Sequence, residues 1–292
     1  MVKCEKSHFK LMTMQPEEFP CPPTVPEQDF FPVGEQFFQY LSKVKYAASK
    51  DELRHNLNGV FLGAEVVATD GHRMAIIKKS LGFMDVLVPL DFISLILKLK
   101  SRDERNTFQA GCSNNLIIIR SHGLTLFSRL IDAEFPDYSQ AIPDDPSRYA
   151  LMARKDLMQA LKRIMLMSGK ECAVKFEFNP GSLVLSSFTP NLGNASEKME
   201  IEYRSESYET SFTVGLNGKF LLDMLEALDE DQVKLQMIND ESPLMIEEHG
   251  SLHILMPLHL LEAEPEAQSE TEIELATESE SEPEFVEEKE AA

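Results

Sequence analysis

The chain has no tryptophan, which by itself excludes nothing, and only four cysteines in 292 residues. Cys4, Cys21, Cys112 and Cys172 stand far apart and form no CxxC pair. Neither a disulfide framework nor a thiolate zinc site is therefore expected, and reduced thiols fit a cytoplasmic protein. The N-terminus lacks the apolar core of a secretion signal, and no apolar run approaches a membrane span. Positive charge is scarce: 28 Lys and Arg face 49 Asp and Glu, a net of −21. Residues 261–292 hold 13 Glu against Lys289, which leaves the rest of the chain at −9. An acidic body argues against general affinity for nucleic acid, so any such contact must come from a local patch. Catalytic signatures are missing too. There is no P-loop, GxGxxG, HExxH or GxSxG, and the seven His are scattered. Asp132, Glu134 and Asp137 are close enough in sequence for acid–base work, but read better as surface loop charges. Glu247-Glu248-His249-Gly250 reads as a hairpin turn rather than a metal site. No catalytic residue, metal or cofactor is expected.

What is there is a plan written twice. The length suggests roughly two domains with ample cores. Residues 29–33 read as a strand and 34–50 as an amphipathic helix, with Phe37, Phe38, Leu41, Val44 and Ala48 on or near one face. A hairpin follows over residues 66–75. Residues 86–89 lead into a second helix, 90–102, and then strands at 117–119 and 124–127 flank a turn at His122-Gly123. Residues 148–260 repeat this order, with helices at 155–168 and 217–228. Leu90-Asp91-Phe92 and Leu216-Asn217-Gly218 occupy equivalent places 126 residues apart. Glu18-Phe19-Pro20 recurs as Glu134-Phe135-Pro136, 116 residues later. The fold class is α+β: repeated strand–helix–strands units with helices on one face of antiparallel sheets. The expected boundaries are a strand within 8–14 and a Pro-rich linker in residues 1–26, domains at 27–143 and 144–260, and a tail at 261–292. The Glu-rich tail cannot bury enough surface to offset its ordering entropy, so disorder is expected there.

The hairpin carries the most specific wording. Asp70-Gly71 between β-prone runs predicts a type I′ turn. Around it stand Asn56-Leu57-Asn58-Gly59-Val60, the turn itself as Asp70-Gly71-His72-Arg73-Met74, the stretch from Leu130 through Phe135-Pro136-Asp137-Tyr138, and Ile254-Leu255-Met256-Pro257-Leu258. In this order, from about Ser7 to Leu260, the four blocks resemble the bacterial sliding clamps, the beta subunits of DNA polymerase III. The resemblance implies the DNA clamp fold and a processivity factor without its own catalysis. It implies a pocket for short peptides with Leu and Phe anchors from polymerases, other DNA enzymes and the clamp loader. The matching positions are Leu57, Thr69, Gly71, His72, Arg73, Met74, Pro136, Gln140, Ile254, Met256, Pro257 and Leu258. Gln140 stands where Arg is common; Ala141 and His259 are further departures. The resemblance also implies that most of a first domain is absent. Six domains then need three chains, so a homo-oligomeric, trimeric ring around double-stranded DNA is expected. The alternative is a non-encircling module that competes for clamp-binding peptides.

Charge on the helices fits a DNA-facing surface. The stretches 34–50, 90–102 and 154–170 hold eleven basic residues: Lys43, Lys45, Lys50, Lys98, Lys100, Arg102, Arg154, Lys155, Lys162, Arg163 and Lys170. They hold only three acids, Glu35, Asp91 and Asp156. With Arg54 these form the expected phosphate-contacting set, without sequence readout. The fourth helix breaks the pattern, with Lys219 against Asp223, Glu226, Asp229, Glu230 and Asp231.

Overall fold

The structure is a computed structural model that describes residues 2–19, 30–83, 85–100, 107–121, 123–190, 193–206 and 211–259. Most of the Pro-rich linker, Arg102, His122 and the acidic segment lie outside the described residues. Residues 1–260 form one compact unit.

Among the described residues four helices organise it: α1 (Glu35–Val44), α2 (Leu90–Lys100), α3 (Arg154–Ile164) and α4 (Gly218–Glu226). Each is amphipathic for the reason read from spacing. In α1, Phe37, Phe38, Leu41 and Val44 recur every three or four residues and are buried. Both α1 and α3 end earlier than expected. Each tightens into a 3-10 turn, Lys45–Ala47 and Met165–Met167 respectively. The tighter winding tucks Ala47 and Ala48 into the core after α1. Asn217 caps α4, its side-chain oxygen accepting from Phe220 N at 3.0 Å. At Gly218 a Cβ would meet Val174 Cγ2 at 2.9 Å, so the strand-to-helix corner there requires glycine.

The first half of the body is strand, helix, three strands, then strand, helix, three strands; the second half repeats this with one added strand, Glu202–Ser205, before its second unit. In the first half, Phe30–Val33 pairs with Phe108–Ser113, and Gly59–Leu62 pairs with Val86–Pro89. In the second half, Arg148–Ala153 pairs with Gln232–Met237, and Ala173–Asn179 pairs with Phe212–Asn217. The halves are joined by backbone. Arg73–Ile77 pairs antiparallel with Ser251–Leu255, fusing one sheet from each half into a nine-stranded sheet. Two four-stranded sheets flank it.

The core has three parts. One lies around α1 and α2, one around α3 and α4. The third lies on the other face of the nine-stranded sheet, at the join, and is built from Val67, Met74, Ile76, Met245, Leu252 and Ile254. Each such fully buried apolar side chain contributes roughly 1.5–3 kcal/mol.

One local expectation is corrected. Residues 8–14 are not one strand. Val2–Cys4 and Ser7–Phe9 form a small hairpin, and the chain is irregular from Lys10 to Gln15. The block at Asn56-Leu57 is a 3-10 turn, His55–Leu57, and the strand begins only at Gly59. By contrast His249-Gly250 is the expected hairpin turn, with both residues at positive φ (46° and 81°).

Candidate peptide-binding site at the join

The hairpin turn sits one residue later than its sequence suggests. Thr69 pairs with Met74, Asp70 N donates to Arg73 O, and only Gly71 has positive φ (86°). Asp70 instead uses its carboxylate: Oδ1 accepts from His72 N at 2.9 Å and from Arg73 N at 3.0 Å. This is the short-range bond that lets aspartate turn a chain without adopting positive φ itself. Thr69 Oγ1 donates to Arg73 O at 2.8 Å and accepts from Gly71 N at 3.1 Å. Arg54 Nη1 donates to Asp70 O at 2.9 Å, which holds the turn bearing buried Leu57 against the hairpin. Arg54 therefore belongs to this site rather than standing free on a DNA-facing helix.

Strand alternation then sorts the matched residues onto two faces. Ile254 lies opposite Met74 and Leu252 opposite Ile76, and all four enter the outer cluster. Phe135, Tyr138 and Ile142 of the connecting loop cover it. Phe135 stacks on Phe61 with centroids 5.1 Å apart, and Tyr138 OH donates to Glu65 Oε2 at 2.9 Å. Phe135 and Tyr138 stood in one of the four blocks, yet none of the three was among the matched pocket positions; a loop residue that packs onto a sheet face has no period to reveal it.

Arg73 points the other way, so its side chain is no part of the outer surface. It is 9% exposed, its Nε bonded to Asp70 Oδ2 at 3.0 Å and its Nη1 to Asp223 Oδ2 of α4 at 2.7 Å. Its guanidinium lies 4.3 Å from the Phe220 ring centroid. His253 shares that inner face and is fully buried, its Nδ1 2.8 Å from Tyr46 OH and its Nε2 3.2 Å from Ser251 Oγ. Burial holds the imidazole down to about 4. Nearby, Glu248 accepts from Asp229 N, Glu230 N and Lys43 Nζ. Burial opposes its charge, but those donors win and hold the carboxyl below its ordinary value.

The exposed rim comprises Gly71, His72, Pro136, Gln140 and Met256, the last 39% exposed. Met256 N donates to His72 O at 2.8 Å, which ties the closing segment to the turn. Pro257 and Leu258 are half-buried, and Leu258 N donates to Gly215 O at 2.8 Å on the neighbouring sheet. Gln140 Nε2 donates to Asp137 Oδ2 at 3.0 Å. The arrangement sets a buried apolar cluster, covered by the connecting loop, beside an exposed glycine turn and an exposed, flexible Met.

Many of the helix cations are already bonded. Lys43 meets Asp229 at 2.7 Å and Glu248 at 3.1 Å, with 17% of its side chain exposed. Lys100 pairs with Glu35, Lys155 with Asp231, Lys162 with Glu226 and Arg163 with Glu197. Arg154 donates to Glu230 O and Leu225 O, the latter a carbonyl at the C-terminus of α4. Lys43 and Arg154 are thus structural. The pairs at Lys155, Lys162 and Arg163 are solvent-exposed and weak. Lys45, Lys50 and Lys170 pair with no described carboxylate within 4.0 Å.

Two family models match this chain: the central domain of the DNA polymerase III beta subunit over residues 33–137, and its C-terminal domain over residues 139–258. The chain belongs to the DNA polymerase III beta-subunit family. It is similar to the beta sliding clamp of Rickettsia bellii, 28% identical over 272 residues that cover 86% of this chain and 72% of the relative. It is likewise 28% identical to the beta sliding clamp of Chlamydia muridarum, over 87% of this chain and 71% of the relative. Among solved structures it resembles the sliding clamp of Bartonella birtlesii bound to griselimycin, with TM-score 0.80 and 26% identity over 88% of this chain and 73% of that one. The beta subunit of Thermotoga maritima matches with TM-score 0.75 and 27% identity, over 85% and 70%. The α+β clamp fold is therefore established, and the chain is a sliding clamp, a processivity factor and non-catalytic accessory subunit of DNA polymerase III. Among the described residues no helix is long and apolar enough to cross a membrane.

Proposed function

We propose that this sliding clamp captures replicative and repair polymerases and its loader through short peptides that dock at the join of its two halves. The observation that carries the proposal is the register of Met74 on Ile254 with Gly71, His72 and Met256 exposed at its margin. One Leu and one Phe anchor, at roughly 1.5–3 kcal/mol each, reach only about millimolar affinity, so backbone hydrogen bonds along the rim supply the rest. Fluorescence polarisation with a labelled peptide bearing both anchors tests this. Met256→Ala is expected to weaken binding about tenfold; unchanged affinity in both Met256→Ala and His72→Glu sinks it.

We further propose that residues 27–143 and 144–260 act as two clamp domains of a homo-oligomeric ring in the cytoplasm. Three chains supply six domains around double-stranded DNA. Sequence-independent contact falls to Lys45, Lys50, Lys98, Lys155, Lys162, Arg163 and Lys170, with Arg102 in the same stretch. Surface pairs through water are worth only about 1 kcal/mol each, weak enough for sliding, while closure provides retention. One observation favours the second reading, a non-encircling module that competes for the same peptides: Lys43, Arg54, Lys100 and Arg154 are already engaged within the chain. Retention on circular but not linear duplex supports the ring; equal loss from both supports the module.

A further inference from the structure

The acidic loop residues Asp132, Glu134 and Asp137 match no catalytic pattern, and the peptide reading leaves them unused. The fold divides them. Asp137 is satisfied locally, its carboxylate accepting from Ser139 Oγ at 2.6 Å and from Gln140 Nε2 at 3.0 Å. Asp132 and Glu134 instead line a cleft of about 600 Å³, joined there by Asp85. All three are exposed, and none has a described cation within 4.0 Å. Among the described residues no Lys, Arg or His lines the cleft. Asp85 is placed at its rim, where Oδ1 packs against Gly63; a Cβ on that glycine would come within 2.4 Å of it. The negative field extends to Tyr138, whose phenol is pushed up to about 12 by burial first, then by Glu65, Asp85 and Asp137.

Between these carboxylates the surface is apolar. Phe61 and Phe135, stacked with ring centroids 5.1 Å apart, line the cleft together with Val86, Leu87 and Ile131. The same two rings pack against the outer cluster that holds Met74 and Ile254. The cleft and the candidate site therefore share a wall. Glu134 also stands two residues before Pro136 of the exposed rim, at most about 7 Å along the chain. A peptide held at that rim brings its flanking residues within reach of the cleft.

The chemistry of the lining selects the occupant. Three carboxylates repel phosphate, so nucleic acid does not fit. The acids are also too dispersed for a metal ion: among the described residues no three His, Cys, Asp or Glu side chains are grouped to hold one. An arginine side chain meets both features. Its aliphatic stem lies along apolar surface while its head stays at the polar edge. Its guanidinium stacks on aromatic rings and forks onto carboxylates. We propose that this cleft is a subsite for a basic residue, arginine above all, that flanks the Leu and Phe anchors of a partner's docking peptide. The proposal rests on the peptide reading above and adds a charge preference to it. With the stem against Phe61 and Phe135, the head meets Asp85, Asp132 and Glu134. Those charges are exposed, so the gain is modest and sensitive to salt.

Fluorescence polarisation on the 292-residue chain tests this with three labelled peptides. One carries both anchors between neutral flanks, one carries Arg in each flank, and one keeps the Arg flanks but has Ala at both anchors. In about 0.05 M salt the Arg flanks are expected to tighten anchored binding about fivefold, and in about 0.5 M salt that gain is expected to vanish. Asp85→Asn, Asp132→Asn and Glu134→Gln together are expected to remove the gain and leave the neutral-flank affinity unchanged, which also shows that the variant is folded. Changing all three to Lys is expected to reverse the preference, so that Glu flanks bind tighter than Arg flanks. An Arg gain that survives neutralisation, or no gain in the unaltered chain, overturns the subsite while leaving anchor docking intact. If the gain survives and light scattering shows the neutralised variant changing its mass, a second copy is the occupant and the proposal falls. Equally tight binding of the anchor-free peptide overturns it too, because the cleft then serves a basic ligand of its own. Failure of every peptide to bind sinks the docking reading itself, and this subsite with it.

Discussion

Acid should loosen the join between the two halves, and His253 is the group that sets how much. The imidazole is fully buried between Tyr46 and Ser251, with Glu248 favouring its charge and Lys43 opposing it. Burial dominates and lowers it from 6.5 to about 4. A base depressed in the folded state contributes full stability above its unfolded value of 6.5, and loses it as pH falls from there towards about 4. Between about pH 7.5 and about pH 5 the unfolded chain gains a proton that the folded chain largely refuses, a loss of about 2 kcal/mol. Glu248, held below its ordinary value, loses its contribution as pH falls further, in the same direction. The His253 share is isolated by His253→Gln, which keeps an acceptor for Tyr46 OH and does not titrate. Urea unfolding at both pH values is the assay. The variant is expected to be about 1–2 kcal/mol less stable at the higher pH for its imperfect hydrogen bonds, and to close that gap by about 2 kcal/mol at the lower. If wild type and variant lose the same stability on acidification, the imidazole is not the acid-sensitive group and the reasoning fails.

Arg73→Ala strands Asp70 and Asp223 and removes the stack on Phe220; about 3 kcal/mol of destabilisation is expected. Peptide affinity measured well below the melting temperature should change less than about tenfold, and a larger loss would return Arg73 to the binding surface. Gly71→Val forces a β-branched residue to a φ of 86°, with its Cβ 3.2 Å from Arg54 Nη1. The expected strain of about 1–3 kcal/mol should appear in urea unfolding, alongside weaker peptide binding. Reversing Lys45, Lys50 and Lys170 to Glu should flatten the salt dependence of DNA binding, by about 0.9 in log–log slope for each phosphate no longer neutralised. An unchanged slope would clear those residues of any role at the duplex. Gly59→Ala would drive a Cβ to 2.4 Å from Val88 O, so an insoluble or strongly destabilised product is expected.

Periodicity made the four helices, the order of strands and their repetition legible from residue types alone. Leu41 or Leu161 can only be buried by a helix that presents one face, and the His249-Gly250 turn is dictated by two adjacent residues. The clamp family was legible as well, because four separated blocks keep their wording. What sequence could not supply was which way each residue of a strand faces and which distant strand it meets. Met74 and Arg73 are neighbours in the chain, yet one floors the candidate site and the other pins α4, since a strand sends successive side chains to opposite faces. Lys43 looked like a DNA contact until the fold brought Asp229 and Glu248 to it across more than 180 residues. Local propensity acts over a few residues and is written in order along the chain. Pairing of charges and strands across the join depends on closure of the whole body, which only the tertiary structure decides.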